Sequence, residues 1–255
     1  MVNSKDGTVI AVDRVGEGPA VVCVGGALND RNSTAGVAGL LADRFTVYSY
    51  DRRGRGDSGD TQPYSVEREI EDLAAVVEEA GGSAMAYGMS SGAILVLRAA
   101  AAGVPLTRLA LYEPPFKNGI PNAPAGPPDY SARLAADIAA GRPGDALELF
   151  MVAVVGMPAE IVAGMRRTPM WPALEALAPS LRYDGEVAGD GAIPPVAGVT
   201  VPVTVLAGTA SPDWMRAAAH AVAAAVPYGV SRELPKQTHN VDPGALAKEL
   251  AVAFG

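Results

Sequence analysis

The sequence SAMAYGMSSGAILVLRAA, residues 83–100, decides the fold. Its first part, SAMAY, is short and apolar, which favours a buried strand, and its last part, AILVLRAA, continues apolar over the length of a helix. The two parts are joined by Gly88-Met89-Ser90-Ser91-Gly92, which is too short for anything but a sharp turn. We therefore predict a strand, a tight turn and a helix in direct succession.

The segments on either side extend this pattern. Strand-like apolar runs alternate with amphipathic helical runs from residue 20 to residue 113, and such alternation predicts a parallel sheet with crossover helices. Residues 8–15 and 20–26 are both strand-like and are separated by Gly-Glu-Gly-Pro. This spacing predicts an antiparallel hairpin at the start of the chain.

Residues 65–82 illustrate how the helices are predicted. Ser65 is a candidate N-cap, Glu67 and Glu69 fall in the first turn, and Gly81 suits a left-handed stop. Because the apolar residues share one face, we expect the acidic face to meet water.

The pattern changes after residue 114, where proline and glycine interrupt the sheet. Helical patterns without an intervening strand follow at 129–140, 145–155, 159–167 and 172–181. Strand and helix patterns then resume at 201–208, 217–225, 230–234 and 243–254. We therefore predict a core of residues 1–115 and 196–255 with a helical cap inserted at residues 116–195.

Composition narrows the function. The 255-residue chain is 49% hydrophobic with a formal net charge of -8, which argues against a nucleic-acid partner and suits a small uncharged ligand. No apolar run approaches the roughly 20 residues of a membrane span, and no secretory signal is recognisable, so we expect no membrane partner and a cytoplasmic location.

Cys23 is the single cysteine and lies in an apolar run typical of a core strand. The histidines, cysteine and carboxylates have no metal-ligand spacing, so we expect no metal.

Gly88-x-Ser90-x-Gly92 between a strand and a helix is the pattern of a nucleophile elbow, which exposes the serine hydroxyl above the sheet. The alternative is a serine that merely caps a helix. A serine needs a base, and of the two histidines His239 follows the last predicted strand, whereas His220 lies inside a helix. We predict Ser90 as nucleophile and His239 as base. The alternative for His239 is an ordinary residue of a surface loop.

These features resemble the α/β-hydrolase superfamily, and the resemblance extends over nearly the whole chain. YDRRGRGDSG, residues 50–59, resembles a turn common in that family and is interpreted as a structural corner near the site. The resemblance implies an α/β-hydrolase fold, with a mostly parallel sheet of the eight-stranded type flanked by helices and a cap. It also implies hydrolysis without a cofactor.

The family usually has a His-Gly pair after the strand that precedes the first helix, and Gly25-Gly26 occupies those positions here. The histidine is missing, but the resemblance implies that the Ala27 and Ser91 amides form an oxyanion hole. The alternative is that the glycines only shape a turn.

The third triad member is open at this stage. The family position for the acid is Ser211, while Asp213 follows two residues later and preserves the order serine, acid, histidine. Asp213 could equally be a residue favoured by a helix N-terminus. Glu113, at the end of a strand, is the rival, because some family members have their acid there.

The apolar cap predicts an apolar substrate pocket, for which Gly26, Leu28, Met151, Met170 and Trp171 are candidates. Small or medium esters, lactones or related carbonyl compounds would suit it. Two alternatives stay open. One is other cofactor-free chemistry on this fold, such as C-C bond hydrolysis, perhydrolase or haloperoxidase-like reactions, or a lyase or cyclase. The other is a catalytically weak ligand-binding scaffold.

Overall fold

A seven-stranded sheet lies at the centre of the computed structural model, which describes residues 1–255. The strands are β1 (Val2–Asn3), β2 (Val9–Ile10), β3 (Val12–Val15), β4 (Ala20–Val24), β5 (Thr46–Tyr50), β6 (Ala84–Met89), β7 (Leu106–Tyr112), β8 (Val203–Gly208) and β9 (Gly229–Leu234). The main sheet has the order β3-β5-β4-β6-β7-β8-β9, and only β3 is antiparallel to its neighbour. The predicted mostly parallel α/β fold is confirmed, with seven strands in the main sheet.

The predicted hairpin between residues 8–15 and 20–26 is wrong. β3 pairs with β5, which lies between β3 and β4. β4 is almost entirely buried and takes a parallel neighbour on each side, whereas the largely exposed β3 occupies the edge. A buried central strand needs both of its hydrogen-bonding edges covered, so the polar strand is displaced outward. β1 pairs with β2 in a separate two-stranded sheet.

Ten helices surround the sheet. They are α1 (Ala35–Leu41), α2 (Val66–Glu79), α3 (Ser91–Ala101), α4 (Tyr130–Ala139), α5 (Pro143–Ala153), α6 (Ala159–Met165), α7 (Trp171–Leu177), α8 (Leu181–Ala188), α9 (Asp213–Ala225) and α10 (Pro243–Phe254). Only helices and loops lie between β7 and β8, in the segment predicted as a cap; its status as a separate domain stays a prediction. Helix α8, which follows a short 3-10 turn at residues 178–180, is absent from the sequence prediction.

Helix α2 has the predicted ends but not the predicted acidic surface. Ser65 is its extended N-cap residue, and Gly81 has a positive φ of 109°. Glu69 and Asp72, however, are buried. The expectation that the acidic face meets water is therefore wrong at these two residues, which pair with arginines described below.

The core is divided by the sheet into two apolar clusters. Successive β4 side chains alternate between them, with Val22 and Val24 in one and Val21 and Cys23 in the other. This alternation follows from the two-residue period of a strand. No helix is both long and apolar enough to cross a membrane.

We expect Cys23 to resist modification while the protein is folded. Burial raises the pKa of its thiol to about 12, so the reactive thiolate is scarce at neutral pH. The thiol reagent DTNB at pH 8 should label the native protein at least about a hundredfold more slowly than protein unfolded in guanidinium. Equal rates in the two states would contradict this placement.

Candidate functional site

Ser90 occupies a strained turn between β6 and α3. Its φ of 55° and ψ of -124° lie in a region that a non-glycine residue rarely adopts. The Ser90 amide donates a 2.9 Å hydrogen bond to the Tyr112 carbonyl at the end of β7. The structure therefore has the predicted strand, sharp turn and helix, and the strain is typical of a nucleophile elbow.

Glycines let this turn contact the turn after β4. A Cβ atom on Gly26 would lie 2.9 Å from the Ser90 Cβ, and one on Gly92 would lie even closer to the carbonyl oxygens of Val24 and Gly25. All three separations are shorter than van der Waals contact. The glycines at these positions are therefore required by space.

We expect Gly92→Ala to destabilise the protein, because its methyl group would push the two turns apart. Overpacking of this kind costs about 1–3 kcal/mol or more. The matched control is Gly39→Ala in α1, where an added Cβ meets nothing within 4 Å, and where alanine should stabilise the helix by about 0.5–1 kcal/mol. Urea unfolding measures both changes, and an unchanged midpoint for Gly92→Ala would contradict the close contact.

His239 lies in the loop between β9 and α10 and pairs with Glu113. Its Nδ1 is 2.7 Å from Glu113 Oε2. Glu113 is fully buried at the end of β7, and its other oxygen, Oε1, accepts a 2.8 Å hydrogen bond from the Gly208 amide. The His239 side chain is 38% exposed, so the ring is held from one side and accessible from the other.

Of the two candidates for the acid, Asp213 makes no contact with His239 in the structure. Asp213 is the first residue of α9, its side chain is 84% exposed, and it pairs with Arg216 at 2.5 Å. The chain turns immediately after β8, with the Ser211 amide bonded to the Gly208 carbonyl, and the following helix starts at the surface. Asp213 thus fits the alternative of a helix N-terminal residue.

The end of β7 brings the serine and histidine loops to the same edge of the sheet. Tyr112 accepts from the Ser90 amide, and its hydroxyl donates a 2.6 Å hydrogen bond to the Thr238 carbonyl, next to His239. Ser90 Oγ and His239 Nε2 form no direct hydrogen bond; such contacts often tighten only when substrate binds. His220 lies apart from them, on the surface of α9.

The two amides predicted to form an oxyanion hole are available as donors. The Ala27 N-H donates to no other group of the protein, and the Ser91 N-H opens α3, where the first amides lack an intrahelical acceptor. The carbonyl of Gly26, on the same peptide group as the Ala27 N-H, accepts from Arg55 Nη1 at 2.5 Å.

The predicted corner after β5 is a cluster of buried ion pairs. Arg52 forms a bidentate pair with Glu69, with both distances 2.7 Å, and Arg53 forms a similar pair with Asp72. The guanidinium groups explain why these two carboxylates of α2 are buried.

Sequence reasoning missed Asp184 of α8. Its Oδ1 accepts from Arg52, Arg55 and Ser91 Oγ at 2.8, 2.8 and 2.6 Å. Burial would raise the pKa of Asp184, but the two arginines outweigh that effect and hold the pKa below its usual value. No local signal identifies this residue, because its partners are more than a hundred residues away or on another helix.

The predicted pocket residues have three different placements. Met151 and Trp171 are buried in the apolar cluster of the cap segment, and Leu28 packs against that cluster. Gly26 lies against Ser90, as described above. Met170 does not fit the prediction of a pocket wall, since it is 64% exposed just before α7. No group of three or more potential metal ligands is present.

Comparisons with known proteins agree with this architecture. A sequence model described as the alpha/beta hydrolase family matches residues 21–249. An alpha/beta hydrolase from Sphaerobacter thermophilus is 50% identical, covers 100% of both chains and superposes with a TM-score of 0.92. A thermophilic esterase from Thermogutta terrifontis is 20% identical over 98% of this chain and 96% of that chain, with a TM-score of 0.74. An enol-lactonase from Burkholderia xenovorans is 20% identical over 100% of this chain and 99% of that chain, with a TM-score of 0.73.

A curated relative matches a smaller part. The probable oxidoreductase EphD of Mycobacterium tuberculosis is 39% identical over 84 residues, which are 31% of this chain and 14% of that protein. The matched region therefore spans only a small fraction of that relative's length.

Proposed function

Because the chain belongs to the alpha/beta hydrolase family, we propose that it is a serine hydrolase with Ser90 as nucleophile, His239 as base and Glu113 as acid. The observation that carries the proposal is the 2.7 Å pair between His239 Nδ1 and Glu113 Oε2, at the edge of the sheet where the strained Ser90 turn lies. A histidine oriented by a buried carboxylate beside an elbow serine is the arrangement that acyl transfer requires.

The Glu113 pair sets the tautomer of His239. The Nδ1-H group donates a hydrogen bond to Glu113 and keeps its proton, so the Nε2 lone pair is free to accept the proton of the Ser90 hydroxyl. Ser90 Oγ then adds to the substrate carbonyl, and the protonated histidine returns the proton to the departing alcohol. His239 then deprotonates a water molecule that attacks the same carbonyl, the bond between the acyl carbon and Ser90 Oγ breaks, and His239 gives the proton to Ser90 Oγ. The products are the carboxylic acid and the free serine.

The Ala27 and Ser91 amides are proposed to stabilise the oxyanion. Both the tetrahedral intermediates carry negative charge on the former carbonyl oxygen, and backbone donors fixed in advance lower the barrier to reaching them. The close contact of the two turns supports this role, because it places the loop of Ala27 beside Ser90.

The proposed substrate is a small or medium, mainly apolar ester, lactone or related carbonyl compound. Ala27 and Leu28 pack against the apolar cluster of the cap segment, so a substrate beside Ser90 would meet an apolar wall. The similar folds of an esterase and an enol-lactonase are consistent with chemistry at an ester carbonyl. A catalytically weak scaffold would be expected if the triad lacked an acid, and the pair between Glu113 and His239 argues against that alternative.

We expect a fluorophosphonate probe to label the protein with one equivalent, because the activated Ser90 Oγ attacks phosphorus as it would a carbonyl. Ser90→Ala should abolish labelling, whereas Ser83→Ala, which removes an exposed hydroxyl just before β6, should leave it unchanged. Intact-protein mass spectrometry measures the adduct. A folded wild-type protein that takes up no probe would refute the proposed nucleophile.

Replacing each candidate acid in turn should show whether Glu113 or Asp213 orients the histidine. Glu113→Gln keeps the shape but favours the wrong histidine tautomer, and the corresponding change in a serine protease lowers kcat by about 10⁴-fold. Asp213→Asn changes an exposed residue and should leave kcat within about twofold. Steady-state hydrolysis of p-nitrophenyl butyrate measures both variants. A larger loss in Asp213→Asn than in Glu113→Gln would reverse the assignment.

A further inference from the structure

We infer that Arg55 is a positioning residue for the oxyanion hole, and that Asp184 of α8 holds Arg55 and Ser91 in the arrangement this requires. The inference rests on the proposed function, because it concerns the proposed oxyanion donors. It adds two residues that act through the backbone without touching the substrate.

Arg55 acts on the peptide group that contains the Ala27 amide. Its Nη1 donates to the Gly26 carbonyl oxygen at 2.5 Å. A trans peptide is planar, and its C=O and N-H point in opposite directions. Fixing the Gly26 oxygen therefore fixes the direction of the Ala27 N-H. A charged donor on the carbonyl also polarises the amide and makes its N-H a stronger donor.

Asp184 joins this peptide to the second proposed donor. Its Oδ1 accepts from Arg55 Nη2 at 2.8 Å and from Ser91 Oγ at 2.6 Å. Arg52 Nη1 reaches the same carboxylate oxygen at 2.8 Å and the Ser91 hydroxyl at 3.1 Å. One oxygen atom thus ties the turn after β4 to the turn after β6 through short hydrogen bonds.

The burial of this network argues for a role in geometry. The side chains of Arg52, Arg55 and Asp184 are 1%, 0% and 8% exposed, and the desolvation of buried charges offsets most of what their attraction gains. The network also leaves Arg55 Nε and Asp184 Oδ2 buried without a partner, which costs further free energy. Such a cluster contributes little net stability, but it fixes the groups it touches.

Asp184 also makes the geometry of the oxyanion hole depend on the packing of the cap segment. It lies 93 residues after Ser91 in the chain and reaches the core from α8. The two donor loops are therefore held in register only when α8 is packed against the core, where it contacts α3.

The test is discrimination between an oxygen and a sulfur at the reacting carbonyl. Sulfur is larger and a weaker hydrogen-bond acceptor, so a well-placed oxyanion hole favours an oxoester over the matching thionoester. A change that only lowers the amount of folded protein leaves this ratio unaltered. We would measure kcat and KM for p-nitrophenyl butyrate and its thiono analogue.

Arg55→Met should lower kcat on the oxoester by about 10- to 100-fold, somewhat less than complete loss of an oxyanion donor. KM should change much less, and the oxoester-to-thionoester ratio should fall by about tenfold or more. Arg53→Met is the matched control: Arg53 is equally buried and paired with Asp72 and Asp6, but bonds to neither glycine carbonyl nor Ser91. Its ratio should stay at the wild-type value.

Arg55→Lys and Asp184→Asn keep the inference testable if Arg55→Met does not fold. Lysine retains the charge opposite Asp184 but lacks the planar fork that reaches Gly26 and Asp184 together, so the ratio should still fall several-fold. Wild-type ratios in folded Arg55→Lys and Asp184→Asn would overturn the inference. Absence of fluorophosphonate labelling at Ser90 in the wild type would instead overturn the proposed function, so the two failures are distinguishable.

Discussion

The C-terminal end of β7 determines the geometry of the site. The Tyr112 carbonyl accepts a hydrogen bond from the Ser90 amide, and the Tyr112 hydroxyl donates one to the loop of His239. The next residue, Glu113, pairs with the His239 ring. The loops of Ser90 and His239 are therefore both bonded to Tyr112, the last residue of β7, and His239 is also bonded to Glu113, which follows it. In the sheet, β7 lies between β6 and β8. The end of β7 therefore has the serine turn, which follows β6, on one side and the Gly208 amide at the end of β8, which binds Glu113, on the other. The position of the carboxylate thus follows from strand order.

The same arrangement holds the Glu113 carboxylate at the end of β7 in one orientation. Glu113 has a positive φ of 45°, an unfavourable backbone for a non-glycine residue, and it is fully buried. The cost of burying the carboxylate is offset because each oxygen has a partner, the Gly208 amide on one side and the His239 ring on the other. A buried carboxylate with both oxygens used by the protein has one fixed orientation. That rigidity is what orienting an imidazole demands.

The fold and the positions of Ser90 and His239 follow from local patterns in the sequence, whereas the partners of side chains do not. The turn at residues 88–92 is marked by glycines, and the loop of His239 is marked by the last strand and helix on either side of it. The hairpin prediction failed because strand pairing is decided by burial of β4, which only the complete sheet defines. Chain order likewise made Asp213 a candidate acid, but the helix that starts there points its first residue to solvent.

The ion pairs beneath the site show the same limit most clearly. The sequence presents Glu69 as an exposed helix residue and Arg52 as part of a turn, and neither pattern predicts burial. Their burial arises because each neutralises the other, so the pair can enter the core although neither charge could do so alone. Once paired, they form a rigid polar layer under the turn that contains Ser91. An apolar layer would cost less desolvation free energy, but it offers no directional bond to a glycine carbonyl or a serine hydroxyl. Directional bonds under the turns that follow β4 and β6 are the physical advantage that charged residues supply here.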